Sequence, residues 1–394
     1  MKNLIRFTLV VVFAPALAFA IYAPIPEQEQ GKALTFRVGG SAYHDSNIFG
    51  AATDMAAIDS MVWNLNGKIA FNGSISDQTF VSASYLISND NVVDRPGDDQ
   101  NLTNQSFAGR LAHSFSEVTN LDLSASYDIT ENPESLQAGR PLNTDQSYDQ
   151  AQADARFTTG FGQKGSLVAK YRFIDIAYDN TRQATDLDHN ENLLGLELGY
   201  ALLPETKLVG EYRYQTINYG TGGAFKDKTS NFLRGGVDYN PSKQLTVSAR
   251  AGVEARERES QPDVTAPSVE LSSRYTYAQD SYLAAGYSYS LEEPSDTIRF
   301  NDSEVNRFFV NVQHRIDGPF TLSGMVTYEP AQLQGRAPQG DIEEETLRFG
   351  VGLTWQPTKN WAISGTYDLD DIQSDDPFRG QNRERFGVGA SYTF

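Results

Sequence analysis

The sequence predicts an all-β fold, a transmembrane outer-membrane β-barrel of about 18 antiparallel strands (16–20), with short periplasmic turns and long extracellular loops. Three observations predict it. Segments of alternating apolar and polar residues recur from Leu34 to the last residue, and after the amino terminus no stretch approaches the ~20 apolar residues of a spanning helix. The links between these segments alternate between short turns bearing Pro or Gly and long polar loops, a sorting that a soluble sandwich or propeller has no reason to show. The closing segment places Phe386, Val388, Ala390, Tyr392 and Phe394 on one face and Gly387, Gly389, Ser391 and Thr393 on the other, and it ends on an aromatic residue.

Residues 1–20 read as a secretory signal. Lys2 and Arg6 start it, Leu9 to Phe13 form its apolar centre, and Ala18-Phe19-Ala20 gives a small-x-small cleavage site. A membrane anchor is the weaker reading, because the apolar run is short and Pro15 interrupts its end. Removing Lys2 and Arg6 deepens the net charge of −19 by two. Residues 21–32, acidic and proline-bearing, form a short periplasmic lead, and 33–394 form one barrel domain. The absence of Cys excludes disulfides and thiolate metal sites, and it suits an oxidising compartment.

The expected strands follow in order. Leu34 to Tyr43 is the first; after a long loop come Met61 to Phe71 and Phe80 to Ile87, joined by a tight turn at Gly73 to Asp77. Leu102 to Phe115 pairs with Leu121 to Ile129, and Tyr148 to Phe161 turns through Gly162-Gln163-Lys164-Gly165 into Leu167 to Tyr178. Asn192 to Leu202 and Leu208 to Tyr219 flank Pro204; Asn231 to Tyr239 and Leu245 to Ala255 flank Pro241. Val269 to Tyr277, Leu283 to Leu291, Asn306 to Ile316, Phe320 to Tyr328, Glu345 to Trp355, Trp361 to Leu369 and Arg383 to Phe394 complete the set. An even number returns both termini to one side, the periplasm. Trp63, Phe115, Trp355, Trp361, Tyr219 and Tyr239, near strand ends, are candidates for interfacial girdles, and Tyr392 with Phe394 for the assembly signal.

Period two sends charge of both signs inward. The bases are Arg37, Lys68, Arg110, Arg156, Lys170, Arg172, Arg213, Arg234, Arg250, Arg256, Arg274, Arg307, Arg315, Arg348, Arg383 and Arg385. The acids are Asp122, Asp128, Asp154, Glu191, Glu197, Glu211, Asp238, Glu254, Glu292, Glu329, Glu344 and Asp368, so the lumen is expected to be mildly cationic. Such a lumen either guides an anionic solute or polymer by its field or braces Arg against carboxylates on neighbouring strands. Arg156, Arg172, Arg213, Arg250, Arg274, Arg348 and Arg385 are the substrate-path candidates. The outer loops are expected to carry Asp90, Asp94, Asp98, Asp99, Asp186, Asp188, Asp370, Asp371, Asp375 and Asp376. A solvated surface explains these acids better than a divalent-cation collar bridging to lipopolysaccharide, since no loop has a defined ligand spacing.

Catalytic material is poor. Of the four His, His113 and His314 fall on the lipid register and His44 and His189 lie in or beside loops. The pairs His44 with Asp45 and Asp188 with His189 are of a kind that polar loops produce readily, and there is no Gly-x-Ser-x-Gly elbow or His-Glu-x-x-His pair. No enzyme, metal or cofactor is expected, nor a nucleic-acid partner.

Gly39-Gly40-Ser41-Ala42-Tyr43-His44-Asp45-Ser46-Asn47-Ile48-Phe49 goes beyond generic barrel character. It resembles the amino-terminal signature of the β-barrel porin type two family, a Tyr-x-Asp-x-Asn-[Ile/Val]-[Phe/Tyr] run leading out of the first strand, with Tyr43, Asp45, Asn47, Ile48 and Phe49 as the matching positions. The resemblance implies an outer-membrane role in exopolysaccharide or capsule export or assembly, and it transfers no catalytic residue. Physically, Asp45 and Asn47 suit a braced turn, and Ile48 with Phe49 suits the barrel mouth. The expected function is a passive hydrophilic channel, with an uptake porin, a structural or adhesive barrel and, least favoured, an outer-membrane hydrolase as alternatives. Outer-membrane lipid, lipopolysaccharide, the barrel-assembly machinery and periplasmic polysaccharide export components are the expected partners.

Overall fold

Alternation carries the chain through 18 strands of one antiparallel sheet. The computed structural model describes residues 33–53, 56–95, 101–131, 147–220, 223–294, 296–316 and 318–394. The expected signal at 1–20 and lead at 21–32 lie outside the described residues, as does most of the loop expected at Thr130 to Gln146. In order the strands are β1 Leu34–Asp45, β2 Ser60–Ser76, β3 Thr79–Val92, β4 Asn101–Ser116, β5 Thr119–Thr130 and β6 Tyr148–Phe161. Then follow β7 Gly165–Tyr178, β8 His189–Leu203, β9 Thr206–Tyr219, β10 Lys228–Tyr239, β11 Leu245–Arg258 and β12 Val264–Ala278. The last six are β13 Ser281–Glu292, β14 Phe300–Arg315, β15 Phe320–Gly335, β16 Ile342–Trp355, β17 Trp361–Ser374 and β18 Gln381–Thr393. A short helix, α1 Thr181–Leu187, and a 3₁₀ turn, Ala224–Lys226, sit in the connections.

Each strand pairs with its neighbours in sequence, and β18 returns to β1, with Arg37 opposite Thr393 and Asp45 opposite Arg385. The sheet therefore closes without an edge, so every strand has hydrogen-bonding partners on both sides, as a hydrocarbon environment demands. The connections that follow even-numbered strands run from two to five residues, with Gly162 and Gly318 at φ 59° and 76°, where a side chain would be strained. Those that follow odd-numbered strands lie at the other end and run from five residues, at 259–263, to the long spans 46–59 and 131–147. All the expected strands are present, and most are longer than expected at the long-loop end. The expected strands Phe320 to Tyr328 and Glu345 to Trp355 left Pro330 in a long connection; instead β15 runs through it to Gly335, with Pro330 opposite Glu345 and the connection confined to 336–341.

Burial follows the alternation. On β8, Leu194, Leu196 and Leu198 are 51, 47 and 59% exposed, whereas Leu193 just before them and Glu197 among them are 4 and 6% exposed. The exposed leucines meet lipid, and the buried side chains crowd the lumen. Trp63, Phe115, Trp355, Trp361 and Tyr239 point outward as girdle residues should. Tyr219 does not: it shares the register of Arg213, is 8% exposed and faces inward. At the short-turn end Trp361, Tyr392 and Phe394 form an edge-to-face chain with ring centres 5.1 and 4.8 Å apart.

Replacing Leu196 by Arg should destabilise the barrel by about 2–4 kcal/mol in lipid vesicles, as charge on the lipid face near the bilayer midplane does. Thr366→Arg, directed into the lumen, should cost much less in the same denaturant titration.

Candidate functional site

The lumen and its long-loop rim hold the polar side chains that any function would use. At the seam between β1 and β18, Asp45 accepts from Arg383 Nε at 3.0 and 3.1 Å, and both residues are buried. Asp45 Oδ1 also accepts from the Asn47 backbone N–H at 3.0 Å, so one carboxylate starts the turn and ties it to the last strand. Asn47 completes the knot: its amide donates to Ala51 O at 2.9 Å and Asn382 O at 3.2 Å, and its oxygen accepts from Ala51 N–H at 2.7 Å. Gly50, at φ 60°, lets the chain turn back over it. Ile48 and Tyr43 both pack against the buried cluster of Val62, Val92 and Leu102, while Arg95 approaches the Phe49 ring at 6.0 Å. The family-like run is thus a latch across the barrel seam.

Charge pairs brace the inner wall from β7 to β12. Lys170 donates to Glu197 at 3.0 Å and Glu211 at 3.3 Å; Glu211 also accepts from Arg213 at 2.8 Å and Arg234 at 2.7 Å. Glu270 on β12 forms ion pairs with the same two arginines at 3.4 and 2.6 Å. A second knot lies nearer the long loops, where Lys228 donates to Glu293 at 2.7 Å and Asp302 at 3.1 Å, and Arg256 and Arg258 also pair with Asp302. Tyr219 donates to Glu293 at 2.6 Å. These pairs join β10 and β11 to β14, and β9 to the connection just before β14, chords across the lumen rather than neighbours along the wall. On β13 to β15, Arg307 bridges Glu292 at 2.8 Å and Glu329 at 2.7 Å.

Several long loops meet above this knot. The buried Lys226 donates to Asp186 O and, at 3.2 Å, to Thr297 Oγ1, with its ammonium 4.5 Å from the Tyr219 ring centre. Thr297 Oγ1 donates to Asp186 O at 2.9 Å, Arg336 donates to Thr297 O at 3.4 Å, and Arg299 pairs with Asp376 at 2.6 Å. Beneath them Phe300, Val305, Ala331 and Leu333 form a small apolar core with Ile342. The connections after β7, β9, β13, β15 and β17 are therefore cross-linked into a partial cap.

The opposite wall, β16 to β18 and β1 to β3, is lined by small side chains such as Ser41, Ser364, Thr366, Gly387 and Gly389. A cavity of about 500 Å³ runs along it, bounded also by Arg37, Lys68, Arg348 and Arg385 and by Asp90, Asp368 and Asp370.

The substrate-path arginines do not form one free cationic surface. Arg172 pairs with Asp154 at 2.6 Å, Arg250 with Asp238 at 2.8 Å, Arg385 with Asp370 at 3.1 Å, and Arg213 with two glutamates. Arg274 stacks over Tyr282 at 3.7 Å, Arg348 lines the cavity, and Arg156 lies opposite Asp122 and Lys170 in the strand register. Sequence reasoning missed the inward acids Asp45, Asp90, Glu270, Asp302 and Asp370, against the missed bases Lys207, Lys228 and Arg258, so the cationic excess shrinks. Glu270 shares the period-two register of Arg274, the signal that would have found it. Asp90, Asp370 and Asp371 were expected in loops but lie on β3 and β17, and Asp98 and Asp99 fall outside the described residues. Asp188 and Asp375 accept backbone N–H groups from Tyr178 and Glu343, and among the described residues no group of three or more acidic or His side chains is arranged to hold a metal.

The histidines are held structurally. His44 closes β1 and stacks on Phe386 with ring centres 5.5 Å apart; His189 opens β8, its Nδ1 2.6 Å from Leu187 O and its Nε2 3.4 Å from Glu191. His113 and His314 contact Thr79 Oγ1 at 2.8 Å and the Tyr277 hydroxyl at 3.0 Å.

Replacing Asp45 by Ala leaves Arg383 buried without that partner and should cost about 3–5 kcal/mol, whereas Asp45→Ala with Arg383→Met should recover most of it. Denaturant titration in vesicles measures both. A second prediction concerns Asp376: burial opposes its ionisation, but hydrogen bonds from Arg299 and the Phe378 N–H, with the Arg299 charge, lower its pKa below the ordinary value. Its contribution to loop stability is therefore complete above the ordinary carboxylate range and disappears as pH falls through the lowered pKa. Protection of the Arg379 amide, which donates to Asp376 O, relative to its unstructured exchange rate at each pH should fall over that acidic window, and Asp376→Asn should remove that fall.

Comparison with known proteins follows this geometry. No curated protein matches the chain. The FrpB iron transporter from Neisseria meningitidis shares the fold at a TM-score of 0.50 and 10% identity, over 92% of this chain and 81% of that one. OccAB3 from Acinetobacter baumannii aligns at a TM-score of 0.45 and 14% identity over 92% and 99% of the two chains. The siderophore receptor PirA from Pseudomonas aeruginosa aligns at 0.44 and 10% over 91% and 80%. The sequence model of the family described as Putative beta-barrel porin 2 matches residues 81–394, so the closed 18-stranded barrel with its polar lumen belongs to that family and is an outer-membrane, porin-like protein.

Proposed function

We propose that this barrel is a passive channel for hydrophilic solutes and that its cargo is an extracellular polysaccharide leaving the cell. The observation that carries the reading is the cavity along β16–β18 and β1–β3, where small and hydroxylated side chains leave space beside a wall otherwise filled by braced charges. Sugar polymers are flexible, heavily hydrated and rich in hydroxyl groups, so a lumen lined with amides, hydroxyls and compensated charges can replace part of their hydration without holding them. In this reading both termini and the short turns face the periplasm, the long loops face outward, and the lumen does no covalent chemistry. Direction and energy come from periplasmic export components. Lipopolysaccharide surrounds the rim, and the assembly machinery receives the strand ending in Tyr392 and Phe394.

Because Arg172, Arg213, Arg250 and Arg385 are ion-paired, the channel should discriminate weakly between anions and cations. Planar-bilayer recording of the purified full-length protein tests this: the expected result is a stable ohmic current with a reversal potential near zero in a salt gradient. Polysaccharide added to one side should interrupt that current, and deletion should trap polymer in the periplasm. Stable current with normal surface polysaccharide in the deletion strain would identify a solute uptake porin instead. Absence of current would leave a structural barrel.

A further inference from the structure

The channel reading can be deepened at one place, the cavity wall itself. We propose that the wall of β16–β18 and β1–β3 holds a saccharide subsite, where one or two sugar units of a hydroxyl-rich chain pause during passage. The cavity of about 500 Å³ falls within the range of small-molecule sites, about 300–1,000 Å³.

Its chemistry matches hydroxyl groups rather than a single charge. A ladder of polar groups climbs β2 and β3: Asn66 Nδ2 donates to Asn64 Oδ1 at 2.7 Å, and Asn64 Nδ2 donates to Ser88 Oγ at 2.6 Å and Asp90 Oδ1 at 2.8 Å. A sugar hydroxyl both donates and accepts, so it is satisfied best where donors and acceptors alternate within one short stretch. The four basic side chains of the cavity are nearly balanced by its three carboxylates, which favours a neutral or sparsely acidic glycan over a polyanion.

The backbone is shaped to present these groups flat. A Cβ at Gly39 would lie 2.7 Å from Asn66 Oδ1, and one at Gly350 would lie 2.8 Å from Asp368 Oδ1. Because those positions lack side chains, the amide and the carboxylate rest against the wall and leave the cavity open. At its upper end Tyr43 lies over Gly387, where a Cβ would come within 2.6 Å of the Tyr43 Cβ, and supplies a ring at the cavity edge.

The test uses the full-length barrel folded in detergent, titrated calorimetrically with a neutral glucan hexasaccharide and, separately, an oligouronate of equal length. Saturable binding of the neutral probe is expected, weakened about five- to tenfold by Asn66→Ala, as loss of a hydrogen bond predicts. Thr366→Trp should abolish it by filling the cavity, and Ser268→Ala on the braced wall should leave it unchanged. Resistance to unfolding in dodecyl sulfate confirms that each variant is folded. The subsite is overturned if neither probe saturates, if Ser268→Ala weakens binding as much as Asn66→Ala, or if only the uronate binds and Asn66→Ala does not affect it. Current and polymer passage without oligosaccharide binding would remove the subsite and keep the channel; binding without current would remove the channel and keep the subsite.

Discussion

A backbone that crosses hydrocarbon must satisfy its amides and carbonyls within the protein, and this constraint dictates most of what the chain does. It forces closure, closure forces an inside and an outside, and period two then decides for each side chain which solvent it meets. The leucines of β8 and the braced glutamate between them are consequences of one hydrogen-bond ladder. The seam is where the constraint is most demanding, because β1 and β18 come from opposite ends of the sequence and loop closure supplies no local help. The Asp45–Arg383 pair and the Asn47 knot sit at that seam, with buried, charge-assisted bonds fixing the last pairing.

Inside, the lumen is not a uniform bath of charge. Buried arginines and carboxylates stabilise one another only when their geometry is good and their remaining hydrogen bonds are met. On β7 to β14 the charges are shared among partners: Glu211 serves three cations, and Asp302 serves Lys228, Arg256 and Arg258, although Nε of Arg234 and of Arg258 is left without a hydrogen bond. The result is a stiff, filled half of the barrel and an open half where glycine, serine and threonine replace long side chains. Net charge alone conceals this, since the strong negative excess of the sequence coexists with near balance inside.

Strand number, order and facing were legible because lipid imposes alternation wherever a strand crosses it. Strand ends were less legible: beyond the membrane both faces are wet, so His189–Glu191 and Lys228–Ser230 lost the pattern while keeping the ladder. Pro330 suggested a break that the register does not make, and the seven-residue helix α1 is too short to carry a periodic signature. In the lumen, the sequence placed Arg213 inward but could not choose its partner, because Glu270 lies three strands away and meets it only after closure. Tyr219 was read as a girdle residue from its place near a strand end, although its register with Arg213 pointed inward. The run from Tyr43 to Phe49 was the most informative stretch, since Ile48 does seat in the mouth and Asp45 does brace the turn.

The seam latch also bears on strand register. A one-residue slip of β18 would turn Arg383 toward lipid, and a two-residue slip would keep it inside but carry it about 7 Å past Asp45, since each strand residue rises about 3.4 Å. A one-residue slip, or a two-residue slip in the direction that does not bring Arg385 into the place of Arg383, would leave a buried carboxylate without a guanidinium. The register of the first and last strands is thus tied to one ion pair at their junction.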